Sequence, residues 1–292
     1  MILAKRFSGW LDIVLELGKF RISLLVCLST AAGYILASGY LNPSMILPTV
    51  AVFILASGSA ALNHYQERDL DRLMKRTSNR PVPSGRVTPS NALGLAVGLI
   101  VVGSILLYRS SNSTALLFGL VTVVWYNAAY TPLKRKTPLA VIPGALIGAL
   151  PPAIGWTAAG GTLLDPFLLI IALFFFVWQI PHFWLLLLKF GDEFEKAGYP
   201  TLTSRYSSQQ IAKFTFSWIL VTVIISMIIP VFGINSSLLL YLGLFLIAMW
   251  LLMASRNLLH FTEDVDTLKN AFLNINVYIM LVMSALTLDR IW

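Results

Sequence analysis

The sequence is poor in charge, cysteine and histidine. Only 12% of its 292 residues are charged and 57% are hydrophobic, which excludes an ordinary water-facing surface. The single cysteine, Cys27, excludes a disulfide framework and any metal site built from several cysteines. This composition predicts a polytopic membrane protein in which little of the chain remains for a separate soluble domain.

Long apolar runs alternate with polar islands along the whole chain. A helix needs about 20 mostly apolar residues to cross the hydrocarbon core of a bilayer. By that measure the runs predict nine membrane spans, near residues 21–38, 45–66, 89–108, 113–131, 138–158, 165–188, 210–232, 237–255 and 270–288. We therefore predict an all-α bundle that forms one integral-membrane domain over residues 1–292.

The charged residues fall on one side of this predicted bundle. With the N-terminus inside, 19 of the 21 Lys and Arg residues and 11 of the 13 acids share its face. Because cytoplasmic loops carry the excess of Lys and Arg, the N-terminus is predicted in the cytoplasm and the C-terminus across a bacterial inner membrane. The expected partner of this basic face is the lipid bilayer and not nucleic acid.

Residues 1–20 have the pattern of an interfacial helix. Phe7, Trp10 and Leu17 recur at helical spacing, with charged residues between them. An amphipathic helix of this kind lies in the membrane interface. The alternative is a solvated N-terminal tail.

Polar residues follow one helix face at the end of the second predicted span. Asn63, Glu67 and Asp71 stand at positions i, i+4 and i+8. Magnesium is usually held by one or two carboxylates together with substrate phosphates. Basic residues that can bind phosphate follow directly, namely Arg72, Lys75, Arg76, Arg80 and Arg86. The pattern predicts a magnesium–diphosphate site, and the alternative is a solvated, self-paired charge run.

Two further polar segments share that cytoplasmic face. Asp192 and Glu193 end the sixth span, where they could supply further metal ligands. Lys134 and Arg135 lie in the short loop between spans four and five and could bind an anion. As a plain topological anchor, the same basic loop would need no ligand.

Several of these segments resemble a known family. Residues 63–71, followed by Arg-Thr-Ser-Asn-Arg-Pro-Val-Pro-Ser-Gly-Arg at 76–86, resemble the first signature of the UbiA superfamily of intramembrane prenyltransferases. Residues 130–138, 148–156 and 178–184 resemble its protohaem IX farnesyltransferase (haem O synthase) branch. The chain departs from the family pattern at Glu67, usually Asp, and at Asp192-Glu193-Phe194, commonly Asp-Asp-Tyr.

The resemblance implies farnesyl transfer from farnesyl diphosphate to the vinyl group of haem B, with Mg²⁺ as cofactor. The implied catalytic residues and metal ligands are Asn63, Glu67, Asp71, Asp192 and, for the metal alone, Glu193. The implied diphosphate contacts are Arg72, Lys75, Arg76, Arg80, Lys134 and Arg135. His182 would ligate the haem iron or orient the haem, with His64 as the next candidate, although a packing histidine is the alternative. An association with haem A synthase or with terminal oxidase assembly would suit such a role, and no residue specifies it.

Two other functions remain open at this stage. One keeps the superfamily and changes the acceptor to an aromatic quinone precursor. The other is a secondary transporter, which many spans with internal prolines at 151, 152 and 181 would suit, because such prolines are expected to kink or break helices. Transporters tend to bury ionisable residues near the bilayer midplane, whereas these acids lie at span ends.

Overall fold

The computed structural model describes residues 2–233, 237–261 and 263–292, with side chains from residue 9 onward. Within these ranges the chain is helical and contains no strand. Nine of the described helical segments are long and apolar enough to cross a membrane. The predicted fold class is therefore confirmed.

The helices follow the predicted spans closely. Their bounds are α1 Ile2–Leu17, α2 Phe20–Ser38, α3 Ile46–Asp71, α4 Pro89–Ser110, α5 Ser113–Val124, α6 Thr131–Leu133, α7 Val141–Ala158, α8 Pro166–Lys196, α9 Ser208–Phe232, α10 Leu238–Ser255 and α11 Val265–Ile291. A π-helical turn, Trp125–Tyr130, joins α5 to α6 so that they form one span. The helix α1 occupies the predicted N-terminal segment, and its position in a membrane interface stays a prediction.

Two helices run well past the predicted ends of their spans. Helix α3 continues to Asp71, and α8 continues to Lys196. At about 1.5 Å per residue, the 31 residues of α8 measure about 46 Å, more than the roughly 30 Å hydrocarbon core. Both polar segments are therefore rigid helical extensions of membrane spans.

Close backbone contacts between small residues hold the bundle together. A Cβ atom added to Gly155 in α7 would lie 1.8 Å from the Thr30 carbonyl oxygen in α2. One added to Gly103 in α4 would lie 2.8 Å from the Leu55 amide nitrogen in α3. Small residues allow this approach, which replaces the hydrophobic driving force that helices lack in lipid.

The internal prolines do not break their helices. Helix α7 runs through Pro151 and Pro152, and α8 runs through Pro181. Of the two predicted outcomes, a kink or a break, the break does not occur in these helices, and a kink stays a prediction. All three prolines are buried, so neighbouring protein surrounds the backbone groups that they leave without a partner.

Candidate active site

The predicted polar stripe lies on one buried face of α3. Asn63 is 1% exposed, Glu67 is 4% exposed and Asp71 is 1% exposed. A buried carboxylate is costly unless it is paired and hydrogen-bonded. Its carboxylates therefore need cations and hydrogen-bond donors from other segments of the bundle.

Each carboxylate of the stripe is paired with a cation from another segment. Both carboxylate oxygens of Asp71 accept hydrogen bonds from Arg80 Nη1, at 2.8 and 2.7 Å. Lys134 Nζ lies 2.5 Å from Glu67 Oε1. The Tyr199 hydroxyl donates to the same oxygen at 2.9 Å. Two acids and two cations thus meet where α3 leaves the membrane region.

The amide of Asn63 connects this pair of acids to the helix junction at the N-terminus. Lys19 Nζ donates to Asn63 Oδ1 at 3.1 Å and lies 3.4 Å from the Tyr126 hydroxyl. Asn63 Nδ2 in turn donates to Thr131 Oγ1 at 3.1 Å. Burial, and then the positive charge of Arg80, lower the pKa of Lys19 to about 7. A third basic side chain, less readily protonated than an exposed lysine, therefore borders the stripe.

The second acidic segment docks on the loop that follows α3. Glu193 Oε2 accepts a hydrogen bond from the Arg76 backbone amide at 3.1 Å. The Arg76 guanidinium lies 4.9 Å from the centre of the Phe190 ring. Asp192 is exposed. The structure therefore brings the ends of α3 and α8 together through Glu193 and aromatic contacts.

The donor set of the stripe fits magnesium better than a transition metal. Among the described residues, no group of three or more His, Cys, Asp or Glu side chains lies close enough to hold a metal ion. Glu67, Asp71 and Asn63 offer two carboxylates and one amide, all oxygen donors. This is the partial set that Mg²⁺ completes with waters and substrate phosphates. Ligation by Asp192 and Glu193 stays a prediction.

The other predicted cations differ in position. Arg72 and Lys75 are exposed just beyond the end of α3. Arg135 donates to the Gln66 carbonyl oxygen at 2.7 Å, beside a groove that Gln66, Thr131 and Lys136 also line. Of the predicted diphosphate contacts, only Arg80 and Lys134 touch the buried carboxylates directly.

Aromatic rings lead from the stripe into the bundle. Tyr126, which touches Lys19, stacks on Tyr130 with ring centres 6.0 Å apart. The Tyr130 ring lies 6.3 Å from Phe183. The π-helical turn that carries both tyrosines is a feature often found at functional sites.

The predicted haem-binding histidine lies at the far end of these rings. His182 precedes Asp192 by ten residues, or about 15 Å along α8. Its ring centre is 5.1 Å from Trp178, 5.6 Å from Phe183 and 4.8 Å from Phe272. His182 Nδ1 has no hydrogen-bond partner among the described residues. His64 is 2% exposed, and neither of its ring nitrogens has a partner there.

Comparisons with known proteins give the family of the chain. The model of the UbiA prenyltransferase family matches residues 26–276. The chain belongs to the UbiA prenyltransferase family. A protoheme IX farnesyltransferase from Geobacter sulfurreducens is 43% identical over 65% of this chain and 70% of its own length. One from Acidiphilium cryptum is 34% identical over 99% of this chain and 93% of its own.

Solved structures share the fold of this UbiA-family protein. A digeranylgeranylglyceryl phosphate synthase superposes with a TM-score of 0.76 at 17% identity, covering 96% of this chain and 98% of its own. A UbiA homologue from Archaeoglobus fulgidus, bound to DMAPP and Mg²⁺, superposes with a TM-score of 0.68 at 14% identity, covering 94% and 98%. The resemblance in the sequence motifs is confirmed, and the chain is an integral membrane protein.

Sequence reasoning missed two residues of this candidate site. Lys19 stands directly before the first span, where a lysine is normally taken as a topological anchor. Tyr199 lies in the turn after α8, outside any helical periodicity. Lys19 and Tyr199 are assigned to the site only by their hydrogen bonds in the folded protein, which join Lys19 to Asn63 and Tyr199 to Glu67.

Proposed function

We propose that the protein transfers a farnesyl group from farnesyl diphosphate to the vinyl group of haem B, giving haem O. The observation that carries this proposal is the buried stripe of Asn63, Glu67 and Asp71, which cations surround and an aromatic interior adjoins. Relatives named protoheme IX farnesyltransferase, 34–43% identical, support the choice of haem as acceptor.

Mg²⁺ would be held by Asn63, Glu67 and Asp71, with Asp192 and Glu193 approaching from α8. When bound, it supplies charge stabilisation for the departing diphosphate. The homologue that was solved with DMAPP and Mg²⁺ supports this assignment. The geometry of the stripe supports these residues as ligands, because successive members lie about one helical turn apart on a buried face of α3.

The cations around the stripe would bind the diphosphate. Arg80 and Lys134 each face a buried carboxylate, so negative charge is already the favoured neighbour at both positions. Arg76 and Arg135 are held by contacts to Glu193 and to the Gln66 carbonyl. Arg72 and Lys75, exposed beyond α3, add long-range attraction for the anion. Together these groups stabilise the charge that develops as the C–O bond breaks.

The aromatic interior would hold the farnesyl chain and keep water from the allylic cation. Tyr126, Tyr130 and Phe183 form a continuous surface from the stripe towards the membrane interior. Excluding bulk water in this way prevents hydrolysis of a reactive intermediate.

His182 would meet the haem, as an iron ligand or as an orienting group. It lies about 15 Å along α8 from Asp192, away from the diphosphate, and its Nδ1 has no hydrogen-bond partner in the described parts of the chain. A haem A synthase or the terminal oxidase assembly would receive the product, and association with either stays a prediction.

Product analysis tests the proposal. Membranes that contain the protein are given haem B, farnesyl diphosphate and Mg²⁺, and the haems are separated and weighed by mass spectrometry. We expect haem O, and about 10³-fold slower formation of haem O in membranes with the Asp71→Ala variant. Prenylation of an added aromatic quinone precursor, with haem B unchanged, would contradict the haem assignment and favour the other acceptor class.

A further inference from the structure

Three buried polar atoms of α8 lack hydrogen-bond partners among the described residues, namely Oε1 of Gln179, Nδ1 of His182 and Nε1 of Trp184. The first two, Gln179 Oε1 and His182 Nδ1, lie only three residues apart. Because most buried polar atoms in proteins are hydrogen-bonded, a buried polar atom without a partner indicates a place where a ligand or a water molecule can bind. Their surroundings are aromatic, with Trp178, Phe183 and Phe272 around the imidazole.

The two side chains are neighbours on α8. Gln179 and His182 are three residues apart on a helix, so they lie on the same face with Cβ atoms about 5–6 Å apart. The Gln179 amide packs against Gly148 of α7, where an added Cβ would lie 2.1 Å from Nε2. One turn away, a Cβ added to Gly144 would lie 2.5 Å from the Tyr130 ring. The pair therefore borders the same interior as the aromatic rings of the candidate active site.

The free nitrogen of His182 suits a small ligand better than an iron atom in a large plane. Nδ1 is bonded to the ring carbon that carries Cβ, so the helix backbone lies beside it. A flat porphyrin needs more room beside that backbone than a water molecule does. The side chain of Asn276 already lies beside the imidazole. Of the two roles proposed for His182, this arrangement favours the orienting group over the iron ligand.

We propose that Gln179 and His182 hold the water molecule that adds to the haem side chain, and that His182 accepts its proton. This step rests on the proposed function. The terminal vinyl carbon bonds farnesyl C1 while the C1–O bond breaks, and the diphosphate leaves with the electron pair. The resulting cation beside the porphyrin ring bonds the water oxygen, and the water proton moves to His182 Nδ1 and later to solvent. Gln179 Oε1 accepts the other hydrogen and fixes the water.

The competing fate of that cation gives a direct readout. If no water is in place, the cation loses a proton from the neighbouring carbon, and the product lacks the hydroxyl group. That product is lighter than haem O by one water. The ratio of the two products reports on water addition alone, because both need the same ionisation and the same carbon–carbon bond.

A matched pair of variants at Gln179 tests the water site. Gln179→Met keeps the length of the side chain and removes the acceptor, whereas Gln179→Glu keeps an acceptor oxygen. In membranes with haem B, farnesyl diphosphate and Mg²⁺, we expect Gln179→Met to raise the share of the dehydrated product about tenfold, the effect of one hydrogen bond. Gln179→Glu should stay close to the unchanged protein.

Two other variants keep the test valid if Gln179→Met does not accumulate in membranes. Gly148→Ala places a methyl group against the Gln179 amide and displaces it, and His182→Gln removes the proton acceptor. Both should raise the dehydrated share. An unchanged ratio in every variant that makes product would overturn the proposal, as would a changed optical spectrum of bound haem in His182→Gln, which would indicate iron ligation. Absence of any farnesylated haem from the unchanged protein would instead contradict the proposed function.

Discussion

The polar stripe of α3 and the segment of α8 around Gln179 and His182 differ in how their buried polar groups are paired. At the end near Asp71, every carboxylate of the stripe is paired with a cation, through Arg80 and Lys134. Within about one helical turn of Phe183, Gln179 and His182 keep polar atoms without partners among the described residues. Carboxylates next to cations suit a site for a metal and an anion, because Mg²⁺ takes carboxylates together with substrate phosphates and cations bind phosphate. Unpaired neutral atoms suit a neutral ligand in an apolar pocket.

The largest effect concerns which half faces the cytoplasm. Because Lys and Arg residues gather on one side, reporter fusions after Arg86, Lys136, Arg205 and Lys269 should all report the cytoplasm. Fusions at Tyr40, Gly160 and Trp292 should report the opposite side. A cytoplasmic reporter at Trp292 would overturn the predicted orientation and place the C-terminus with the acidic ends.

The nine spans could be read from the sequence because hydropathy alone fixes which segments leave water. The spacing of Asn63, Glu67 and Asp71 also survives folding, since helical periodicity is local. The partners could not be read in this way. Lys19 meets Asn63 across 44 positions and Tyr199 meets Glu67 across 132, and no local rule relates residues so far apart.

Two nearby aspartates, one buried and one exposed, allow the buried ion pairs to be compared with an ordinary charged surface. Asp71 is 1% exposed and holds Arg80, whereas the Asp69 side chain is 76% exposed and lies 3.7 Å from Arg68. We expect Asp71→Ala to lower turnover about 10³-fold, because it removes a metal ligand and frees a buried cation. Asp69→Ala should change turnover little, and chelating Mg²⁺ should reproduce the Asp71→Ala loss.

Full activity in the presence of a chelator would contradict the metal assignment. The family pattern offers a second check at Glu67, where Asp is usual. Glu67→Asp should retain turnover, although the shorter side chain has to reach Lys134 and Tyr199.

Lysines two residues apart sharpen the comparison further. Lys134 faces Glu67 at 2.5 Å, while Lys136 is exposed. If Lys134 contacts diphosphate, Lys134→Met should raise the KM for farnesyl diphosphate about 10- to 100-fold, the range for a charge-assisted hydrogen bond. Lys136→Met is the matched control and should leave KM near its starting value. If the KM changed equally in both variants, Lys134 would not contact the diphosphate and would serve only as one of the positive charges that set the topology.

The smallest expected effect is the most direct test that haem B and the diphosphate bind to different residues. The measurement is the affinity of two variants for haem B and for a non-hydrolysable farnesyl diphosphate analogue. His182→Ala should weaken haem B binding about tenfold, through lost contacts, and leave the affinity for the analogue unchanged. Asp71→Ala should weaken binding of the analogue and leave haem B binding unchanged. If either variant weakened both ligands equally, the division between a charged diphosphate end and a neutral haem end would be wrong.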